Sequence, residues 1–377
     1  MSSQASPPES AIPPGGTIGI LGGGQLGRLL SLAGLRLGFK THIYTPSADC
    51  PAAQTTPQVT VGEYTDLEKV AEFGRTVDVI TYEFENVPLE TARALESRDA
   101  PVRPPSKALE IAQDRLFEKQ FVQELGYKVA PFFAVASEES LDAGLKAIGT
   151  NAILKTRRWG YDGKGQSRIN EPSPDISATW EAAKKKAWEE IGAQPSILEG
   201  FVPFVFEISI LAARSVKGEF VHFDAPKNEH KNGVLSKSTV PSGAPAATID
   251  KAVDITRKIM DALGYVGVIG VEFFVLDSGQ VLVNEFAPRV HNSGHWTEAA
   301  CHCSQFEQHI RAVAGWPLGS TARHSDVVME NLLGADVDSW AELSGQSNSV
   351  LTLYGKHEAR PGRKMGHTSH LGSRYSG

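Results

Sequence analysis

Residues 266–289, VGVIGVEFFVLDSGQVLVNEFAPR, put two acids inside otherwise apolar, strand-forming runs, and few folds can absorb that pattern. Segments 271–276 and 281–286 are rich in β-branched and aromatic residues, and Asp277-Ser278-Gly279-Gln280 between them has the chemistry of a hairpin turn. A two-residue loop at Ser278-Gly279 pairs Asp277 with Gln280 and sets Glu272 directly opposite Glu285. Opposed residues on one face of a hairpin have Cβ atoms about 4.5–5.5 Å apart, and like charges there are destabilising. A cation between the two removes the conflict. Paired carboxylates suit Mg²⁺, which binds through one or two protein carboxylates plus substrate phosphates. A longer turn with a slipped register would instead leave both side chains merely solvated.

The chain of 377 residues, 41% hydrophobic and 21% charged, can form two or three globular domains. A net charge of -7 argues against general nucleic-acid binding but leaves room for local basic pockets that hold phosphorylated small molecules. Cys50, Cys301 and Cys303 give an odd count without a disulfide framework, as expected in a reducing compartment. Cys301 and Cys303 sit in a run of helical character, 297–315, with no second pair of metal ligands at zinc spacing, and read as buried or indifferent thiols. Residues 1–14, rich in Ser, Pro and Glu, have the composition of a disordered tail rather than a signal peptide. No stretch has eighteen consecutive apolar residues, so no membrane partner is expected and the cytoplasm is the expected location.

Residues 17–21 form a short apolar strand that runs into Gly22-Gly23-Gly24-Gln25-Leu26-Gly27, a helical pattern and a second strand at 41–45. This is the opening of a parallel βαβ unit, with glycines at the spacing of a dinucleotide fingerprint. The second strand ends Tyr44-Thr45-Pro46-Ser47, without the acid that would bind ribose, so the expectation is reduced to phosphate binding at a helix N-terminus, with Gln25 as an added donor. Strand 77–82 delivers Glu83, Glu85 and Asn86 to the carboxyl end of that sheet, where open α/β sheets bind ligands, although acids also favour helix starts. PVRPP at 101–105 reads as a connector between domains, and Ser106 as the cap of a helix running to Gly126.

In AILKTRRWGYDGKGQ, residues 152–166, an apolar strand presents Lys155, and Gly160, Gly163 and Gly165 then alternate with polar residues. The spacing is not that of a Walker loop; it suits a glycine-rich flap over nucleotide phosphates, or a plain hairpin with a flexible tip. The lysine run at 184–186 reads as a solvated helix face. Glu199 and Glu207 lie in apolar strands and each needs a partner, for which ribose hydroxyls or an adenine amine would serve. Residues 224–232 form a basic loop with Lys227, His230 and Lys231. APRVHNSGHW, 287–296, crowds donors just beyond the hairpin, and KHEARPGRKMGH, 356–367, gathers a basic cluster suited to a phosphate monoester.

Taken together, GGGQLGR, DRL, GYDGKGQ, VGVIGVEFFV, VNEFAPRVHNSGHW and RPGRKMGH resemble the ATP-grasp superfamily and, within it, the 5-(carboxyamino)imidazole ribonucleotide synthetases of purine biosynthesis, over about residues 17–367. The resemblance implies an α/β and α+β chain. Its parts would be a Rossmann-like parallel-sheet domain at 15–105, an ATP-grasp fold at 106–318 with a flap subdomain near 127–198, and a small, incomplete C-terminal domain at 319–377. It further implies that Arg115, Lys155 and the flap residues Gly160, Tyr161, Asp162, Gly163, Lys164, Gly165 and Gln166 contact ATP phosphates. Glu199, Gly200, Phe201 and Val202 would form the adenine hinge, with Glu207 at the ribose and His230 also on the nucleotide. Glu272 and Glu285 would hold Mg²⁺ with Asn284 nearby, though an ideal strand points Asn284 to the opposite face. Gly24, Gln25, Leu26, Glu83, Asn86, Lys356, Arg363 and Lys364 would face aminoimidazole ribonucleotide. Lys155, Arg289, His291 and Asn292 would serve catalysis, the last three around bicarbonate and carboxyphosphate. A homodimer is expected, acting beside or fused to a carboxylase. Rival readings are another ATP-grasp ligase, such as biotin carboxylase or a formate-dependent transformylase, a non-catalytic nucleotide sensor, and a dehydrogenase.

Overall fold

The computed structural model describes residues 11–97, 100–160, 164–170 and 177–374, with backbone alone at 177–179 and 374. Most of the expected tail, and Tyr161, Asp162 and Gly163 of the flap, therefore lie outside the described residues. The tail expectation is corrected at its end: Ile12 is buried, its N–H donates to Ala314 O at 2.9 Å, and its carbonyl accepts from Trp316 Nε1 at 2.7 Å.

Thr17–Leu21, Lys40–Thr45, Val59–Val61 and Val79–Tyr82 pair in parallel, in the spatial order 59–61, 40–45, 17–21, 79–82. The helix Gln25–Arg36 starts directly at the glycine turn and buries Leu26, Leu29 and Leu30 against this sheet. A second sheet is antiparallel. Its order runs Val281–Ala287, Gly267–Val275, Phe206–Arg214, Lys227–Lys231, Val234–Val240, Ser325–Leu333, Lys364–Arg374, Ser349–Leu353, and Phe220–His222 pairs with Phe206–Arg214 off that path. Helix Ala246–Leu263 covers one face of it, burying Ile255, Ile259 and Leu263 with Phe273 and Val283. The third sheet, ordered Phe132–Val135, Ser196–Gly200, Ala152–Thr156, Gln166–Ile169, carries the flap between its last two strands.

His309 joins the first two sheets. Val268 N–H donates to its Nδ1 at 3.1 Å, which leaves the proton on Nε2, 2.8 Å from Thr81 Oγ1. Burial depresses this imidazole to about 3, so it stays neutral across the joint.

The hairpin differs from expectation in a way that matters. Leu276 N–H donates to Gln280 O and Gly279 N–H to Leu276 O, so the loop has three residues, with Gly279 in the left-handed region at φ 77°. Val275 therefore faces Val281 and Phe273 faces Val283, but Val271 faces Phe286. A β-bulge between these pairs sets both Asn284 and Glu285 against Glu272. The two-residue turn is thus corrected, while the opposition of the two glutamates survives through the bulge.

Other expectations need smaller corrections. Residues 106–126 form two helices, Ser106–Ala112 and Arg115–Glu124, because the Asp114 side chain caps the second by accepting from Leu116 N. Ser106 is not a cap; its N–H and hydroxyl both bond Glu96. The 297–315 run breaks into Thr297–Ala300 and Gln305–Val313, where Ser304 caps the second helix, and Cys303 lies buried at the break. The basic loop at 224–232 is in part a strand, Lys227–Lys231. Lys184 is buried rather than solvated, paired with Asp142 and Glu181.

A buried polar network ties three central strands to the loop beyond the hairpin. Asn228 Nδ2 donates to Ser209 Oγ at 3.0 Å, Ser238 Oγ donates to Asn228 Oδ1 at 2.8 Å, and Ser209 Oγ lies 2.7 Å from Ser293 Oγ. Asn228→Ala takes the acceptor from the buried Ser238 hydroxyl and one donor from Ser209, and the expected cost is about 1–3 kcal/mol. A lower urea midpoint at unchanged slope is the expected outcome; an unchanged midpoint contradicts it.

Candidate active site

Two lysines converge on one acid. Lys155, on Ala152–Thr156, reaches Glu199 Oε2 at 2.9 Å, and Lys119, on the helix Arg115–Glu124, approaches Glu199 Oε1 at 3.4 Å. Burial opposes charge on Glu199, yet the lysines hold its carboxyl at about 2. The partner that the buried Glu199 needs is thus supplied within the chain: it is the counter-ion that orders two cations. Gly200, Phe201 and Val202 follow it out of the strand. Phe201 is exposed beneath the Arg168 guanidinium, 5.1 Å from its ring centroid, and Val202 packs with Ala130 and Leu282. Arg115, the first residue of its helix, donates to Gly160 O at 3.0 Å and so ties the flap root to the helix. Lys164, Gly165 and Gln166 lie on the returning side of the flap, and Gly165 N–H and C=O are placed by a left-handed turn at φ 68°.

The bulged hairpin forms an acidic floor. Burial first, and Glu285 second, push the Glu272 carboxyl up to about 7, although Asn284 donates a hydrogen bond to it. Glu207 Oε2 lies 3.1 Å from His230 Nδ1, and His291 Nε2 is 3.6 Å from Glu272 Oε1. Burial depresses the His230 imidazole, but the Glu207 hydrogen bond and the charges of Glu272 and Glu207 outweigh that and raise it. His291 is driven the other way, to about 3, by burial and then by Arg289 and Lys364, and it is neutral at working pH. One ligand atom each from Glu207, His230 and Glu272 lie within 4.8 Å of one another. For a hard cation the oxygen set of Glu272, Asn284 and Glu285 is the better match, since imidazole suits softer metals. The residues present fit Mg²⁺: Glu272 and Glu285 oppose each other across the bulge, and burial, then the Glu285 charge, push the Glu272 carboxyl up.

The far wall is basic. Arg289 forms a two-pronged ion pair with Glu85, whose Oε1 accepts from Nη2 at 3.1 Å. Burial works against the Glu85 charge, and Arg289 holds its carboxyl at about 2. Glu83 is buried and accepts from Gly24 N–H and from Gly27 N–H, the latter at 2.6 Å. A Cβ on Gly24 would meet Glu83 Oε1 at 2.6 Å, which is why this position is glycine. The expectation of a free phosphate site in the glycine turn is corrected, because a carboxylate from the neighbouring strand fills it. Gln25 is half-buried at the helix start, and Leu26 turns into the core rather than toward a ligand. Asn86 lies half-buried in the turn after Glu85.

Lys356 donates to Lys364 O at 2.6 Å beside a groove lined by Asp49, Cys50, Gln54 and His357. Arg363 donates to Glu358 O at 2.9 Å. Both Lys356 and Arg289 act electrostatically on Glu83, and Lys364 acts on His291, so the C-terminal basic cluster belongs to the same wall. Asn292 is buried in a reciprocal amide pair with Asn331, with Nδ2 3.0 Å from Asn331 Oδ1. This pair ties the loop to the strand Ser325–Leu333.

Sequence reasoning missed Glu118 and Lys119. Both are buried on the face of the helix that Arg115 begins, three and four positions on, and that spacing from a suspected phosphate ligand was the available signal. Burial and then Glu285 raise Glu118 to about 8.

Family models match three stretches: the ribonucleotide synthetase preATP-grasp domain at residues 16–113, the ATP-grasp domain at 120–306 and the phosphoribosylaminoimidazole carboxylase C-terminal domain at 327–376. The N5-carboxyaminoimidazole ribonucleotide synthase of Brucella melitensis is 52% identical over 363 residues, covering 96% of this chain and 98% of that protein. The chain belongs to the N5-carboxyaminoimidazole ribonucleotide synthetase family. The synthetase of Thermus thermophilus matches at TM-score 0.85 and 45% identity, over 96% of this chain and 94% of that one. That of Aspergillus clavatus, solved in complex with ADP and 5-aminoimidazole ribonucleotide, matches at TM-score 0.87 and 25% identity, over 95% and 94%. Members of the synthetase family are ATP-dependent ligases. This chain has their three-part α/β and α+β fold, which opens on the parallel sheet and ends in the strands that extend the central sheet.

The Glu85–Arg289 pair has a pH signature. A carboxyl held at about 2 in the folded protein contributes stability that is fully present above its unfolded value, about 4.3, and is lost as the pH falls toward the folded one. Arg289→Met is therefore expected to lower the urea midpoint most at neutral pH, with the gap to wild type narrowing below about pH 4.3. A gap independent of pH would refute the pairing.

Proposed function

We propose that this chain carboxylates 5-aminoimidazole ribonucleotide with bicarbonate, using ATP and giving 5-(carboxyamino)imidazole ribonucleotide, ADP and phosphate. Bicarbonate oxygen attacks the γ-phosphorus and ADP leaves with the bridging electron pair; the resulting carboxyphosphate then yields its carboxyl to the substrate amine, directly or as carbon dioxide, releasing phosphate. The supporting observation is how the charged groups are arranged around the bulged hairpin. Cations Lys155, Lys119 and Arg115 lie on the flap side, the acidic floor of Glu272 and Glu285 lies below, and the Arg289–Glu85 pair and the Lys356–Lys364 cluster stand opposite.

Each residue has a task that follows from its surroundings. Lys155, ordered by Glu199, offsets charge building on the phosphates at no cost of reorganisation during the reaction. Arg115 holds the flap root at Gly160, so that a closed flap excludes water from carboxyphosphate. Neutral His291, with Nδ1 2.8 Å from Ser293 Oγ, offers its other nitrogen to an anionic acyl group or to a proton in transit. Glu207 and His230 face the nucleoside, and Lys356, Arg363 and Lys364 the substrate phosphate. Glu272, Asn284 and Glu285 would hold Mg²⁺, which when bound neutralises charge on the β- and γ-phosphates. The proposal includes a cytoplasmic homodimer. A carbamate product is labile, which favours a carboxylase acting close by.

ADP release is expected to require both bicarbonate and 5-aminoimidazole ribonucleotide, with each omitted in turn abolishing turnover. Rapid release with a different acceptor and none with this one would assign the chain to another ligase of the superfamily. Glu285→Ala is expected to keep the fold, by circular dichroism, and to lower kcat by at least about 100-fold, the scale of losing a preorganised electrostatic partner. Wild-type turnover in that variant would remove Glu285 from the metal site.

A further inference from the structure

Val281–Ala287 is the edge strand of the central sheet, and among the described residues its outer side meets an isolated bridge at Val129 rather than a paired strand. Val283 N–H points outward and donates to Lys128 O at 2.9 Å. Three residues on, Phe286 N–H also points outward and donates to Glu118 Oε1 at 2.6 Å. Outward donors in a regular strand are an even number of residues apart. The odd spacing is the mark of the inserted residue, and its far end rests on a side chain. Between the two, Asn284 O accepts from Lys119 Nζ at 3.2 Å. Two consecutive side chains of one helix, nearly excluded from solvent at 4% and 2% exposure, therefore bond the main chain on both sides of Glu285.

We infer that Glu118 and Lys119 are positioning residues that clamp the bulge from outside and thereby hold Asn284 and Glu285 together on the Glu272 side of the strand. Without the clamp, the bridge of Val283 to Val129 still anchors one end of the bulge, but its far end can relax to regular pleating, which turns Asn284 to the opposite face. Lys119 also bonds Glu199, so the same ammonium group links the metal floor to the counter-ion of Lys155. Neither side chain needs to touch substrate. Their effect passes through the backbone of the ligands, as partners outside a metal's own ligand set commonly do.

The inference rests on the metal reading above, and the test separates the two. Mn²⁺ binding in the presence of ADP is followed by electron paramagnetic resonance on wild type, Glu118→Leu, Glu118→Gln and Lys119→Met, with thermal unfolding run in parallel. Wild type binds Mn²⁺; Glu118→Leu and Lys119→Met are expected to bind it about 10-fold more weakly. Glu118→Gln keeps a carbonyl acceptor for Phe286 N–H and is expected to restore affinity to near wild type. KM for bicarbonate is expected to stay unchanged in all three while the activating metal concentration rises in the first two. Undiminished Mn²⁺ affinity in a folded Glu118→Leu or Lys119→Met overturns the clamp, as does a Glu118→Gln protein as weak as Glu118→Leu. Should Glu118→Leu fail to fold, Lys119→Met alone decides. Wild type that takes up no Mn²⁺ overturns the metal reading, and the clamp with it.

Discussion

The repulsion between Glu272 and Glu285 is the constraint around which the rest of this structure is arranged. Two carboxylates set against each other in the floor of a sheet are unfavourable by themselves, and burial makes the contact worse by weakening the solvent that would screen it. Several other buried acids nearby are neutralised by protein partners. Glu199 has two lysines, Glu85 has a two-pronged arginine and Glu83 has two backbone N–H groups. An acidic floor among neighbours that are neutralised is the arrangement a cation brought with a nucleotide would suit.

The same logic accounts for the glycine turn that opens the chain. Its spacing copies a dinucleotide fingerprint, and the helix N-terminus behind it can hold an anion. Glu83 enters from the adjacent parallel strand and takes that place. What distinguishes this turn from a cofactor site is therefore a side chain nearly sixty residues away, and the dinucleotide reading fails for a steric and electrostatic reason. Burial raises the Glu83 carboxyl even so, while Arg289 and Lys356 pull it down, which couples the turn to the basic wall that would receive a phosphorylated substrate.

Order in the cationic part of the site is likewise set before any ligand arrives. Lys155 and Lys119 are held by one buried carboxylate, and Arg115 is held by the flap backbone. Long side chains fixed in this way do not have to be ordered during binding, and preorganised charge is what phosphoryl transfer requires of a protein. The Asn228 and Asn292 networks extend that order to the loop 291–296, fastening it to the sheet from below and to the C-terminal strands from the side.

Much of this was legible in the sequence. Periodicity and turn chemistry marked the first βαβ unit, the flap hairpin and the acidic hairpin, and the motifs around Lys155, Glu272, Glu285 and Arg289 were dense enough to carry a family resemblance. These are local properties, in which neighbouring residues carry the signal. What remained hidden depends on approach between distant segments. A three-residue turn differs from a two-residue one by a single left-handed glycine, and only the paired strands show that a bulge later restores the opposition of the glutamates. That Glu83 fills the glycine turn, and that Lys119 joins Lys155 on Glu199, depends on segments brought together from different elements. Glu118 and Lys119 sit in an ordinary amphipathic helix, and their roles exist because that helix lies along the edge of the sheet. The sequence by itself determined which chemistry the chain carries, since residue types and spacing are written locally. Tertiary structure decided which charges are cancelled and which are left for a ligand, because cancellation depends on distance and burial.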